Sequence, residues 1–203
     1  MRISKFLQEI IYVPILHWLD WYEDIKRGVS TQKNFELSEL GLSGHLGNKY
    51  QPLGYRRLKE VIKLGRIMNP GSTFVDVGCG LGRPILMALE LGFQHAIGID
   101  ISSELIKGCK KNIHNKSKRV ELFHCDSNDY NFPPGNLTIF LFNPFDKSRI
   151  AKLIDKLISI EYRGLIIYFN PRHAVIFKKK RLITELRWQN FGLFEERCHF
   201  YEI

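Results

Sequence analysis

Apolar residues along the chain follow two rhythms, helical spacing and short unbroken runs, and the two alternate over most of its length. Ile3, Phe6, Leu7 and Ile10 recur every three to four residues. Pro14 interrupts, and Ile15, Trp18, Leu19, Tyr22 and Ile25 resume the pattern up to Gly28. Two short amphipathic helices packed on the rest of the protein are expected. Residues 28–47 are rich in Gly, Ser, Thr and Asn and read as a loop able to cross a ligand cleft as a lid. Leu58, Val61, Ile62 and Leu64 mark the buried face of a helix that ends near Gly65. From there, runs at 74–77, 95–100, 119–124, 137–142, 165–169, 183–189 and 194–203 predict strands. The run 137–142 is apolar throughout, as in a central parallel strand buried on both faces. Residues 81–91 and 146–160 are predicted helices, Ser102 and Ser103 cap another before Glu104, and Pro171 starts a short one. Alternating strands and helices imply a parallel sheet covered on both faces. The short link around Gly192 makes the last strand antiparallel.

A chain of 203 residues with 44% hydrophobic content has material for one large core. Residues 1–48 are expected to form N-terminal helices and a lid-like loop packed on a main domain at 49–203. No run of eighteen uncharged apolar residues occurs, and Gln8 and Glu9 interrupt the N-terminal apolar stretch before any small-residue cleavage site. A soluble cytoplasmic protein is expected. Cys79, Cys109, Cys125 and Cys198 are scattered without a C-x-x-C pair, which fits reduced thiols. His124-Cys125 and Cys198-His199 resemble ligand pairs but fall on strands from opposite halves of the predicted sheet, so no metal site is expected. The formal net charge of +9 suggests an anionic partner such as nucleic acid, and Lys178 to Arg181 is a basic run that reads more readily as a solvated helix end than as a binding patch. At the N-terminus, Arg2, Lys5, Lys26 and Arg27 are balanced by Glu9, Asp20, Glu23 and Asp24, so membrane attachment is not expected. Nothing in the sequence sets the oligomeric state.

Candidate chemistry is concentrated in Phe74-Val-Asp-Val-Gly-Cys-Gly-Leu-Gly-Arg83, where an apolar run ends on a carboxylate and breaks into glycines at alternate positions. A strand stops here and a helix starts, with Pro84 in the first turn, where a missing N–H costs little. Without a Cβ at Gly78, Gly80 and Gly82, the backbone can take positive φ and lie close to a bound nucleoside. Dinucleotide enzymes show G-x-G-x-x-G, whereas this turn reads Asp-x-Gly-x-Gly-x-Gly. Asp100 follows Gly80 by twenty residues, the separation at which an acid on the neighbouring strand tip reaches ribose hydroxyls. With Ser102 and Ser103 available as caps, that aspartate is expected to be free.

Asp76-Val-Gly-Cys-Gly-Leu-Gly82 resembles the first motif of the class I S-adenosylmethionine-dependent methyltransferases. The resemblance extends over the chain apart from its first helices. It implies an α/β fold, a three-layer Rossmann-like seven-stranded mostly parallel sheet with an antiparallel last strand, plus the N-terminal helices. It also implies S-adenosyl-L-methionine as cofactor, with Asp76, Gly78, Cys79, Gly80 and Gly82 at the methionine end, Asp100 and Ile101 at the ribose, and Asp126 and Ser127 at the adenine. A group of small bacterial class I methyltransferases is similar in its Gly-Val-x-Thr step (Gly28 to Thr31), Tyr-x-Pro-x-x-Tyr step (Tyr50 to Tyr55), Phe-Leu-Phe-Asn-Pro-Phe (140–145) and Asn170-Pro-Arg-His173. Where that group has Gly-Asp-Ala after the third strand, this chain has Cys125-Asp126-Ser127. Asn143-Pro-Phe145 resembles the Asn/Asp-Pro-Pro-Tyr/Phe motif of amino methyltransferases, one proline short. Asn143 and Phe145 are therefore the candidate catalytic residues, placing an unidentified acceptor (nucleic acid, protein side chain or small molecule) whose methylated atom that resemblance makes an amino nitrogen; the other reading of the same residues is a turn started by Asn-Pro with Phe145 in the core. The alternative expectation is a nucleic-acid-binding protein that keeps the fold for docking, with its basic C-terminal third on phosphates.

Overall fold

Seven strands make one sheet: β1 (Thr73–Val77), β2 (Ala96–Asp100), β3 (Val120–His124), β4 (Asn136–Phe142), β5 (Arg163–Phe169), β6 (Arg181–Asn190) and β7 (Phe194–Glu202). The order is β3-β2-β1-β4-β5-β7-β6. β1 to β5 pair in parallel, and β7 lies antiparallel between β5 and β6. This is the mostly parallel sheet with an antiparallel last strand expected from the alternation of elements. The computed structural model describes residues 13–36, 38–40, 50–142, 146–160, 162–178, 180–190 and 194–203. The helix predicted around Ile3 to Ile10 and the stretch 41–49 lie outside the described residues.

Five α-helices are described: α1 (Val13–Arg27), α2 (Tyr55–Met68), α3 (Arg83–Glu90), α4 (Ser103–Ile113) and α5 (Lys147–Ser159). Alternate side chains of each central strand enter different layers, as a period of two requires. On one face Phe74, Phe140, Ile167 and Phe200 pack with Leu58, Ile62, Ile85 and Ile106 of α2, α3 and α4. On the other, Val75, Ile139, Ile166 and Tyr168 pack with Ile150, Leu153 and Leu157 of α5 and with Phe177. Apolar apart from Asn136 and Thr138, β4 is buried from Leu137 to Leu141, because both faces of a central parallel strand are covered.

Two local expectations are corrected. α2 does not end near Gly65 but continues to Met68. Gly65 is an interior residue of the helix, chosen for contact rather than for termination: a Cβ there would stand 2.4 Å from Ile167 Cδ1 of β5. α1 does not pack through its apolar stripe. Ile15, Trp18, Leu19, Trp21, Tyr22 and Ile25 are all exposed, and Asp24 is its buried residue. The helix is turned so that acids, not hydrophobes, meet the domain.

Candidate functional site

The glycine turn sits where β1 and β2 end side by side, in the register Val77 with Ile99. Gly78 and Cys79 each donate a backbone N–H to Ile99 O, at 2.8 and 3.0 Å. Gly78, Gly80 and Gly82 have φ of 83°, 53° and 86°, so all take the left-handed conformation that the absence of a Cβ permits. Gly82 precedes α3, and Pro84 lies in that helix's first turn.

Asp76 is 2% exposed, and its Oδ2 is buried without a hydrogen-bond partner among the described residues. Burial, and then the charge of Asp100, push its carboxyl well above the usual carboxylate range. Such an oxygen, left bare at the tip of a central strand, fits a cationic or N–H-bearing ligand group. Burial also raises Asp100, against the lowering effect of the backbone N–H groups of Ser102 and Gly80.

Asp100 is not free, as its spacing from the caps suggested. Gly80 N donates to its Oδ2 at 2.9 Å and Ser102 N to its Oδ1 at 2.8 Å. Ser102 does cap α4, accepting from Leu105 N at 3.3 Å. The aspartate thus ties the glycine turn to the start of α4, and each oxygen keeps a further lone pair for a ligand hydroxyl. The His124 ring nitrogen lies 3.1 Å from the carbonyl of Ile101.

After β3, Asp126 is held by Arg149 of α5 at 2.7 Å and accepts from Asn128 N at 3.0 Å. The Ser127 hydroxyl and Asn128 Oδ1 are buried with no partner among the described residues. Unpartnered polar atoms therefore recur at the ends of β1 and β3, the carboxyl side of the sheet where α/β folds hold ligands. Together with the Cβ-free turn they fit a nucleoside-bearing cofactor. The expected catalytic pair Asn143 and Phe145 lies outside the described residues.

Sequence reasoning missed the residues that cover this turn. The Tyr50 ring lies over Gly80, where a Cβ would stand 2.1 Å from it, and its hydroxyl donates to Thr31 O at 3.0 Å. Arg83, 1% exposed, is the hub of a buried polar network. Its guanidinium donates to Thr31 Oγ1 (2.7 Å), Gln32 Oε1 (2.6 Å) and Leu53 O (3.0 Å), and stacks over Tyr55 at 4.3 Å. Asp20 and Asp24 of α1 stand 3.4 and 3.5 Å from it. Asp24 in turn accepts from Thr31 N (2.6 Å), Thr31 Oγ1 (2.7 Å) and Tyr55 OH (2.7 Å). Thr31, Tyr50 and Tyr55 belong to the Gly-Val-x-Thr and Tyr-x-Pro-x-x-Tyr steps, so those steps were the available signal. The basic residue directly after the last glycine was the other.

A cleft of about 430 Å³ opens beside this network at the ends of β4 and β5. It is lined by Leu16, His17 and Asp20 of α1 and by Phe142, Phe169 and Asn170. Asn170 is the non-glycine residue with positive φ (52°) among the described residues. The basic run is partly spent within the sheet, with Arg181 paired to Glu202 at 2.9 Å.

Residues 74–159, from the first strand through α5, match the family model described as a methyltransferase domain. Among relatives, ribosomal protein L11 methyltransferase from Aquifex aeolicus is 29% identical over 93 residues, 44% of this chain and 38% of that protein. The same enzyme from Lachnoclostridium phytofermentans is 32% identical over 69 residues, 34% of this chain and 20% of that protein. The chain thus spans well under half the length of these relatives. Among solved structures, an RNA methyltransferase from Pyrococcus horikoshii, so described with reservation, superposes with a TM-score of 0.56 at 15% identity, covering 82% of this chain and 96% of that one. N-methyltransferase NodS from Bradyrhizobium japonicum, solved with S-adenosyl-L-homocysteine, gives 0.56 at 10% identity over 72% of this chain and 85% of that one. No helix among the described residues is long and apolar enough to cross a membrane.

Proposed function

We propose that this chain is an S-adenosylmethionine-dependent methyltransferase acting on an amino nitrogen. The observation that carries the reading is the buried, unpartnered Asp76 Oδ2 at the mouth of the left-handed glycine turn, an anionic acceptor suited to the ammonium end of the cofactor. Gly78, Cys79, Gly80 and Gly82 present the turn's backbone there. Asp100, with Ile101 beside it, receives the ribose hydroxyls, and Asp126 and Ser127 serve the adenine. When bound, the cofactor supplies an electrophilic methyl group on a sulfonium, and the protein contributes proximity and orientation. Asn143 and Phe145, following the last residue of β4, position the acceptor, a role supported by the resemblance of Asn-Pro-Phe to amino methyltransferase motifs. The same motifs support membership of the small bacterial group. Residues 1–48 act as a cover packed on the domain at 49–203.

Calorimetry of the purified protein tests the cofactor: S-adenosylmethionine and its demethylated product bind without added metal, and NADH does not. Absence of binding by either sulfur nucleoside, or preference for NADH, overturns the reading. For the acceptor role, Asn143→Ala leaves cofactor affinity unchanged and lowers turnover by on the order of a hundredfold, because misorientation raises the barrier without touching nucleoside contacts. Full turnover in that variant removes Asn143 from the reaction.

A further inference from the structure

The outward face of α1 is the largest departure from what an amphipathic helix should do. Ile15 is 49% exposed, Trp18 58%, Leu19 44%, Trp21 51%, Tyr22 45% and Ile25 52%. At 100° per residue these six fall within one side of the helix, and Asp20, Asp24 and Arg27 fall on the other. A contiguous apolar face of this kind marks an interaction surface. Trp18 and Tyr22 stack on each other at 5.8 Å, and among the described residues no other ring lies against them.

The acids of α1 are withdrawn from that face. Asp24 is bound by Thr31, Tyr55 and Arg83. Asp20 accepts from Tyr55 N and faces Arg83, and Glu23 is paired with Arg27 and Lys26. The charge balance counted along the sequence therefore does not describe what the helix shows its surroundings. Lys26, its ammonium 5.6 Å from the Tyr22 ring centroid, stands at the edge of the apolar face. In the sequence directly upstream, Arg2 and Lys5 accompany Ile3, Phe6, Leu7 and Ile10.

We infer that α1 docks the protein on an anionic lipid surface, lying in the interface with its aromatic face toward the acyl chains. Tryptophan and tyrosine suit that boundary because each joins an apolar ring to a polar N–H or O–H. A formal net charge of +9 draws the molecule to anionic headgroups. The same charge repels a second copy, which favours lipid over self-association. This inference stands apart from the methyl-transfer reading, since none of the exposed residues belongs to the glycine turn or its neighbours.

The test uses the full chain with vesicles of phosphatidylcholine alone and of phosphatidylcholine with about one third phosphatidylglycerol. Co-sedimentation with the anionic vesicles is expected, with a blue shift of tryptophan emission and weakening by salt. The triple variant Trp18→Ser/Trp21→Ser/Ile25→Ser should bind these vesicles at least about tenfold more weakly. Its circular-dichroism melting curve should match that of the unaltered protein, showing that the loss is not one of folding. Failure of the unaltered protein to bind anionic vesicles overturns the inference, as does equal binding by the triple variant. So does a concentration-dependent dimer that the triple variant abolishes, since a second copy then covers the face. Tryptophan emission in free monomer that acrylamide quenches no better in the unaltered protein than in the variant overturns it too, by showing the face already covered within the chain.

Discussion

At the scale of single residues, the site stores an unfavourable pair. Asp76 and Asp100 are buried at adjoining strand tips, and burial raises both carboxyls from the ordinary value of 3.8. A carboxyl raised in the folded state contributes stability below its unfolded value and loses it as pH climbs through the raised one. Through these two groups the free protein should lose stability as pH rises above about 4, a loss that Asp76→Asn should reduce and a cationic ligand should flatten. Asp76→Asn removes the charge that has no partner. Its melting temperature at neutral pH should exceed that of the unaltered protein, by about 2–4 °C for each kcal/mol relieved, while cofactor affinity falls. A variant less stable than the parent, with affinity intact, would show that the carboxylate is paired in solution. Gly80 makes a second demand. An alanine there meets both a left-handed φ of 53° and the Tyr50 ring. Gly80→Ala should lose about 1–3 kcal/mol in denaturant titration, and adding Tyr50→Ala should restore part of it. A loss unchanged in the double variant assigns the whole cost to the backbone.

At the scale of elements, α1 is fastened by polarity where most helices are fastened by hydrophobic burial. Arg83 is the first residue of α3, carried into the interior by the turn it follows, and a buried guanidinium must be matched. Asp20 and Asp24 supply the match from one turn apart on α1, and Thr31, Gln32 and Leu53 complete the set of acceptors. Outside this hub, Arg27 makes bidentate contact with Glu90 at the far end of α3, at 3.0 and 3.1 Å through Nε. Replacing Arg83 by Met leaves the buried Asp24 and the half-buried Asp20 without their cation, at a cost of about 3–5 kcal/mol. Hydrogen exchange should show the protection of 24–36 falling first, ahead of the sheet. Uniform loss across all elements would mean that α1 and the sheet unfold as one unit.

At the scale of the whole molecule, the sheet brings distant parts of the chain to one edge. The register of β1 against β2 and β4, and of β2 against β3, sets Asp76, Asp100 and Asp126 along the carboxyl side of the sheet, although they are far apart in sequence. A ligand held across several strand ends stabilises all of them together. At a free concentration of about one hundred times its dissociation constant, S-adenosylmethionine should add roughly 2.7 kcal/mol to the unfolding free energy. A thermal shift series against cofactor concentration checks this, and a melting temperature independent of concentration would mean that the cleft does not close on that ligand.

Periodicity along the sequence was enough to determine the strands, the mostly parallel sheet and the turn at Asp76 to Gly82, because each of these follows from neighbours a few residues apart. Glycine spacing and the carboxylates at strand ends likewise marked the cleft, since positive φ and strand-end position are local properties. What only the tertiary structure decided depends on which distant groups meet. Gly65 looked like a helix end until Ile167 was seen to need its space. Asp100 looked free until the Gly80 and Ser102 amides closed on it. The orientation of α1 was illegible for the same reason. Its apolar stripe is the stronger local signal, but the buried Arg83 draws the acidic side of α1 to the domain, and that pairing exists only when residues some sixty positions apart are brought together.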